Sequence, residues 1–360
     1  MGDCTAAISE QIQAACQQQR PLRLRGHGSR GIAAHLPGEW LDLTEHSGIV
    51  THRPQELVVT VRCGTPLVEL EAELAAHRQA LPFAAPMPKG RGTIGGAVAL
   101  GLAGAARPYL GSVRDALLGM RLCDGQGEVL RFGGEVIKNV AGFDVTRFMC
   151  GALGAFGVLL ELSLRLIPLP AVQCTLGFAM DIPQALEACS AWVRQGWPLT
   201  AMLHDGQQLV IRLMGGREAV ASARLKLGGQ ELDGAIWEAL RQEQGGPFAG
   251  ALPPWRVHAR RAPSSLPPQS WLLWEGELLY VARQTQGGKE SMDHLAGPDG
   301  QVMIHGALPP PSPPRYQALY QRLKQVWDPR HILNQGLWLD EQSFQTTNPQ
   351  TTNPLQGRCG

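Results

Sequence analysis

"GHGSRG", residues 26–31, is the stretch on which the fold of this chain turns. It has the G-x-G-x-x-G spacing of a dinucleotide-binding loop, which must follow a strand and open a helix. The strand is in place: "PLRLR" (21–25) alternates apolar and charged residues. The helix is not. "IAAHLPGEWLDL" (32–43) carries Pro37 and no helical stripe, and Asp42 stands nearer than the acidic residue the fingerprint needs. The context therefore fails for a nicotinamide-binding Rossmann loop. A different use of the glycines survives. Glycine tolerates positive φ, so a short run after a strand can turn successive N–H groups inward and make an anion nest. Arg25 and Arg30 flank the loop and can add charge-assisted hydrogen bonds. A tight turn without a ligand explains these six residues equally well.

Two further glycine clusters favour the ligand. "GTIGGAVA" (92–99) offers Thr93, Gly95 and Gly96 as a source of N–H groups and a hydroxyl, and "GALGAFGV" (151–158) adds a third site of close backbone approach. Three separated loops suggest one long ligand cradled by all of them, and a dinucleotide is the natural candidate. The alternative is that small residues only permit close packing.

Composition narrows the class. The 360 residues favour two domains, and 44% hydrophobic content is that of a globular protein. A formal net charge of +1 gives no reason to expect a nucleic-acid partner. Eight cysteines are scattered without a C-x-x-C, which argues against an iron–sulfur cluster or structural zinc and fits a reducing compartment. Asp3 and Glu10 interrupt any apolar run at the start, so no signal peptide is expected. The uncharged stretch 92–106 is too short and Gly-rich to span a bilayer. The expected location is cytoplasmic.

Along the chain, residues 5–19 read as a helix, and "WLDLTEHSGIV" (40–50) and "ELVVTVRCG" (56–64) as two strands. "TPLVELEAELAAHRQA" (65–80) reads as a helix with Thr65 as N-cap and Pro66 at its first position, its apolar face carrying Leu67, Leu70 and Leu74. "ALLGMRLCDGQGEVLRFGG" (116–134) reads as a hairpin turned by Asp124-Gly125 and Gly127. "VLLELSLRLIPL" (158–169) is a long alternating strand. A new unit begins near Ala171, with tryptophans at 192, 197, 237, 255, 271 and 274 read as core. "DGAIWEALRQEQ" (233–244) is helical in pattern, and a helix within 316–336 is stopped by Pro329. The division expected is 1–170, then 171–307, a Pro-rich linker 308–315, a segment 316–340 returning to the first domain, and a disordered tail 341–360.

The order of these motifs over roughly residues 20–170 resembles the FAD-binding domain of the vanillyl-alcohol oxidase and p-cresol methylhydroxylase (PCMH) superfamily. The resemblance implies an α+β fold: a PCMH-type FAD-binding domain of two α+β subdomains, then a second α+β substrate or cap domain. "VIKNVAGFDVTRFMCGALGAFGV" (136–158) is most similar to the FAD-binding E-type subunits of bacterial glycolate oxidases. By resemblance, Gly26, His27, Gly28, Ser29 and Arg30 take the FAD pyrophosphate. Thr93, Ile94, Gly95 and Gly96 line the cofactor. Gly111, Val113 and Asp115 cross near the flavin, and Gly154, Gly157 and Val158 make a further contact. Some relatives carry a flavin-linking histidine, but His27 is not at that position, so FAD is expected to be non-covalent. The chain departs from the pattern where His27 replaces a glycine, Phe143 a tyrosine, Gln335 a proline and Leu337 a basic residue, the last two in the closing "DPRHILNQGL" (328–337).

Oxidising a 2-hydroxy acid requires a cation for the carboxylate, a base for the hydroxyl proton and a flavin as acceptor. His204, His258, His294 and His305 form no H-x-H or H-x-x-x-H, so no metal is expected. Lys138, Asn139 and Arg107 are the polar groups placed nearest the flavin, with Asn334 a fourth catalytic candidate. Lys138 would offset charge on the reduced flavin. The resemblance implies a sister flavin subunit and an iron–sulfur subunit as partners, no nucleic acid, and peripheral association with the inner membrane through those partners. Two alternatives stand beside it: a self-sufficient FAD-linked oxidase of a small D-2-hydroxy acid, and a non-catalytic scaffold.

Overall fold

The structure, a computed structural model, describes residues 2–134, 144–283, 289–297, 300–305, 307 and 314–337. Lys138, Asn139, Phe143, most of the Pro-rich linker and the repeated tail lie outside the described residues.

The first unit opens with helix α1 (Thr5–Gln18), which buries Ile8, Ile12 and Ala15. Strands β1 (Leu22–Arg25) and β2 (Glu39–Asp42) then pair in parallel. Between them stands no α-helix, only a single 3-10 turn at Ile32–His35. The "WLDLTEHSGIV" stretch is not one strand. The Asp42 carboxylate accepts hydrogen bonds from the Thr44 N–H at 2.9 Å and its hydroxyl at 2.6 Å, so the chain turns there and resumes as β3 (Ile49–Arg53). Next come β4 (Val58–Arg62), helix α2 (Leu67–Ala76) and β5 (Gln79–Ala80), then three short helices, α3 (Ile94–Leu100), α4 (Arg107–Leu110) and α5 (Val113–Ala116). Thr65 does not cap α2. Its hydroxyl donates to the Arg62 carbonyl at 2.7 Å and accepts from the Gly48 N–H at 2.8 Å, tying the strand end to its neighbour's loop.

The hairpin forms as β6 (Leu117–Cys123) and β7 (Val129–Gly133). Helix α6 (Val145–Met149), strand β8 (Val158–Arg165) and short β9 (Ile167–Pro168) complete the unit. A five-stranded sheet runs in the order β3-β4-β8-β6-β7. Central β8 is buried at every position but Arg165, so it reads as a nearly continuous apolar run. Its one carboxylate, Glu161, is met across the ladder by Arg121 at 2.6 Å.

The second unit is one eight-stranded sheet. Its strands are β10 (Val172–Phe178), β11 (Leu199–His204), β12 (Leu209–Gly215), β13 (Gln230–Leu232), β14 (Trp255–His258), β15 (Ser270–Leu273), β16 (Leu278–Val281) and β17 (Gln301–Ile304), in the order β13-β10-β12-β11-β15-β16-β14-β17. Helices α7 (Ile182–Arg194) and α8 (Arg217–Leu227) cover one face through Ala185, Cys189, Val220 and Ala223. Helix α9 (Ala235–Gln242) places Trp237 and Leu240 on the opposite face, with Trp271 and Trp274, against Ala103 and Ala105 of the first unit. Trp274 Nε1 donates to the Gly104 carbonyl at 2.9 Å across that contact. Helix α10 (Lys289–Ala296) packs on β14 and β17.

Helix α11 (Pro314–Trp327) brings the chain back to the first unit. Tyr320, Leu323 and Trp327 pack on its core. Asp328, fully buried, accepts the N–H groups of Ile332 and Leu333 and the Lys324 ammonium at 2.7 Å. Lys324 also donates to the carbonyls of Ala155 and Leu333. Leu333 then bridges Leu22 of β1.

Candidate functional site

A cleft of about 560 Å³ runs where the three glycine loops meet. Gly26, His27, Gly28, Ser29 and Arg30 line it, with Thr93, Gly95 and Gly96 from the second loop, Gly154 and Gly157 from the third, and Asn334 from the returning segment.

The first loop keeps its N–H groups open. Over residues 27–31 only the Gly31 N–H finds an acceptor among the described residues, the Gly28 carbonyl at 3.1 Å. Gly28 sits at φ +62°, and a side chain there would meet nothing within 4 Å, so the backbone itself faces the cleft. Buried His27 Nδ1 likewise has no partner among the described residues. Unpaired polar groups in a cleft are costly unless a ligand meets them. An anionic dinucleotide such as FAD fits this donor set.

The second loop works differently from the sequence expectation. Its N–H groups are consumed internally: Ile94 by the Thr65 carbonyl at 3.0 Å, Gly95 by the Cys63 carbonyl at 2.9 Å, and Gly96 by the Thr93 hydroxyl at 3.1 Å. That hydroxyl caps α3. The glycines serve approach instead, because a Cβ on Gly95 would lie 2.6 Å from the Cys63 Cβ. Ile94 and Val158 are fully buried core residues and do not line the cleft.

Gly111, Val113 and Asp115 stand off the cleft. Val113 is fully buried. The Asp115 carboxylate accepts the Ser112 N–H at 2.8 Å and its hydroxyl at 2.7 Å, closing a capping box on α5. These bonds hold its pKa below the usual carboxylate value. Arg107 does not line this cleft either. Its guanidinium lies 4.6 Å from the centroid of the Trp274 ring in the second unit.

The flanking arginines were expected to supply charge. Arg25 Nε instead pairs with Asp42 at 2.8 Å. Arg30 is buried against Glu243, with its Nη1 2.8 Å from His305 Nε2. Burial pushes the Glu243 carboxyl up, but the His305 hydrogen bond and the Arg30 charge outweigh it and the net shift is downward. Arg30 thus gives the cleft its backbone and gives its guanidinium to the second unit. The cation that sequence reasoning missed is Arg91, exposed on the cleft wall with no ion-pair partner among the described residues. Its only signal was its place next to the second glycine cluster.

Asn334 is positioned rather than free. Its Oδ1 accepts the Leu24 N–H at 2.8 Å, and its Nδ2 donates to the Leu153 carbonyl at 2.7 Å. It staples β1 to the third glycine loop, and both ends of the amide are engaged.

Residues 3–133 match the FAD binding domain family. The chain is 37% identical over 342 residues to glycolate oxidase subunit GlcE of Escherichia coli (strain K12), covering 93% of this chain and 97% of that protein. The chain belongs to the GlcE family of glycolate oxidase subunits. Shorter stretches of the chain also match other proteins of related description. Glycolate oxidase subunit GlcD of Bacillus subtilis (strain 168) is 30% identical over 177 residues, 48% of this chain and 37% of that protein. A solved alkyldihydroxyacetonephosphate synthase shares the fold at a TM-score of 0.67 and 14% identity, over 91% of this chain and 75% of that one. Among the described residues of this GlcE-family chain, no three His, Cys, Asp or Glu side chains gather as a metal site. No described helix is long and apolar enough to cross a membrane.

Proposed function

We propose that this chain is the FAD-binding subunit of a glycolate-oxidising complex, taking part in flavin-mediated oxidation of glycolate to glyoxylate and in onward electron transfer. The observation that carries the reading is the 27–30 loop, its N–H groups unclaimed at the head of the cleft, in a chain that matches GlcE over 93% of its length. Bound FAD supplies the two-electron acceptor.

The chain's own residues hold and orient it. The N–H groups of His27, Gly28, Ser29 and Arg30 bind the pyrophosphate, and Arg91 adds a cation beside them. Asn334 fixes the distance between β1 and the 151–157 loop, and Gly154 lets that loop close on Leu24, where a Cβ would lie 2.6 Å from its Cδ1. Binding is non-covalent. Residues 1–170 form the FAD domain, 171–307 the cap, and 316–340 complete the FAD domain. The partners are a sister flavin subunit and an iron–sulfur subunit. The complex is cytoplasmic, held at the inner membrane through those partners.

The test is an anaerobic visible spectrum of the purified chain before and after glycolate, repeated with the partner subunits. Oxidised-flavin bands that persist until the partners are added are expected. Bleaching by the chain alone would establish a self-sufficient dehydrogenase instead. A chain that takes up no flavin after reconstitution with FAD would overturn the reading.

A further inference from the structure

A second cavity, of about 260 Å³, lies between the eight-stranded sheet and the first unit. It is smaller than the roughly 300 Å³ at which sites for drug-sized ligands begin. Ala84, Ala103 and Ala105 wall it on one side, and Trp237, Leu273 and Tyr280 on the other. Pro86 lines both this chamber and the FAD cleft, so the two cavities share a wall.

Arg212, on β12, lines the chamber. Its Nε donates to the Thr200 hydroxyl at 3.1 Å, and one Nη2 hydrogen points to the Thr200 carbonyl at 3.4 Å. Its guanidinium stands 5.5 Å from the centroid of the Trp237 ring. Both Nη1 hydrogens lack an acceptor among the described residues, and no described carboxylate forms an ion pair with this arginine. The acids of the chamber wall are engaged elsewhere. Glu243 is held by Arg30 and His305, and Glu238, exposed, accepts from Gln242 Nε2 at 2.6 Å. The other chamber arginine, Arg241, is tied to both carboxylate oxygens of Glu71, at 2.5 and 2.7 Å. Burial, with the Arg241 charge added, lowers Arg212 to about 10, so it remains a cation at neutral pH. A half-buried cation whose Nη1 edge faces a cavity without a counter-ion keeps an unmet electrostatic cost, and a small anion in the chamber would relieve it.

We propose that this chamber binds a small carboxylic acid, with the Nη1 edge of Arg212 as its charge partner. The inference deepens the glycolate reading and rests on it for the acid's identity as a 2-hydroxy acid. It places recognition of the acid on this chain itself, one proline away from the cofactor cleft.

The probe is oxalate, a dianion that the flavin cannot oxidise by removing a hydride from carbon. It is titrated calorimetrically into the full chain, with and without FAD, and FAD affinity is measured separately. Saturable oxalate binding is expected, weakened about tenfold or more in Arg212→Met, the loss of a charge-assisted contact, and less in Arg212→Lys. FAD affinity stays unchanged in both variants. If neither variant folds, phenylglyoxal labelling of the wild-type chain decides, with oxalate expected to protect Arg212. FAD binding without saturable oxalate binding, equal oxalate affinity in Arg212→Met, or unprotected Arg212 overturns the chamber and leaves the FAD reading intact. Oxalate binding by a chain that takes no FAD overturns the FAD reading and leaves the chamber standing.

Discussion

Adding one methyl group at Gly26 tests how the cleft is built. A Cβ there would lie 2.4 Å from Thr93 Oγ1, closer than real atoms approach, and a tight 3.0 Å from its Cγ2. Thr93 is not free to give way, because its hydroxyl accepts the Gly96 N–H at 3.1 Å and caps α3. If Thr93 rotates, the cap is lost at about 1 kcal/mol. If the loop moves instead, residues 27–30 shift relative to the second and third loops. Overpacking in a tight site costs about 1–3 kcal/mol. We expect Gly26→Ala to lower stability by about 2–4 kcal/mol in urea denaturation and to raise the FAD dissociation constant about 10- to 100-fold by flavin-fluorescence titration. Thr93→Ala removes both clashing atoms and leaves a contact at 3.3 Å. The double variant should therefore lose at least about 1 kcal/mol less than the sum of the single losses. Strict additivity, or an FAD affinity untouched by Gly26→Ala, would refute the steric reasoning.

Arg91→Ala should raise the FAD dissociation constant by up to about tenfold, more at low salt, with no change in melting temperature; an unchanged constant at low salt would place the cation away from the phosphates. Asn334→Asp keeps the acceptor for Leu24 but leaves the Leu153 carbonyl without its donor, so a stability loss of about 1–3 kcal/mol is expected. Turnover per bound flavin in the assembled complex should hold in that variant, and its collapse with stability intact would make Asn334 catalytic. Burial, reinforced by the charges of Arg256 and Arg107, lowers His258 from 6.5 to about 3. Between those pH values the unfolded chain binds a proton that the folded chain refuses. Stability should therefore fall as pH drops through that window, by up to about 1.4 kcal/mol per unit, and His258→Gln should flatten the slope of pH-dependent denaturation.

Local signals carried the sequence reading far. The failed Rossmann context followed from Pro37 within a few residues of the loop, and the chain there does form only a single 3-10 turn. The hairpin at 116–134 is fixed by its own turn residues and stands as β6 and β7. Two local readings failed for tertiary reasons. Thr65 looks like an N-cap in sequence, but a strand end and the Gly48 loop take its hydroxyl. Asp42 sits inside an apolar run, and its side chain turns the backbone there.

The sequence by itself determined that three glycine-rich loops lie along one α/β stretch, that the first can bend into an anion nest, and which family the motif order resembles. Only the tertiary structure decided which groups those loops offer. Arg30 and Glu243 meet across 213 positions of chain, and Asn334 reaches Leu24 across 310. Glycines 95 and 96 give close approach rather than N–H groups, because Cys63 and Thr93 reach those N–H groups first. The chamber at Arg212 exists only where the second unit's sheet meets alanines of the first. A polar group bonds with whatever packing brings within about 3 Å, and a sequence records its valence but not its neighbours.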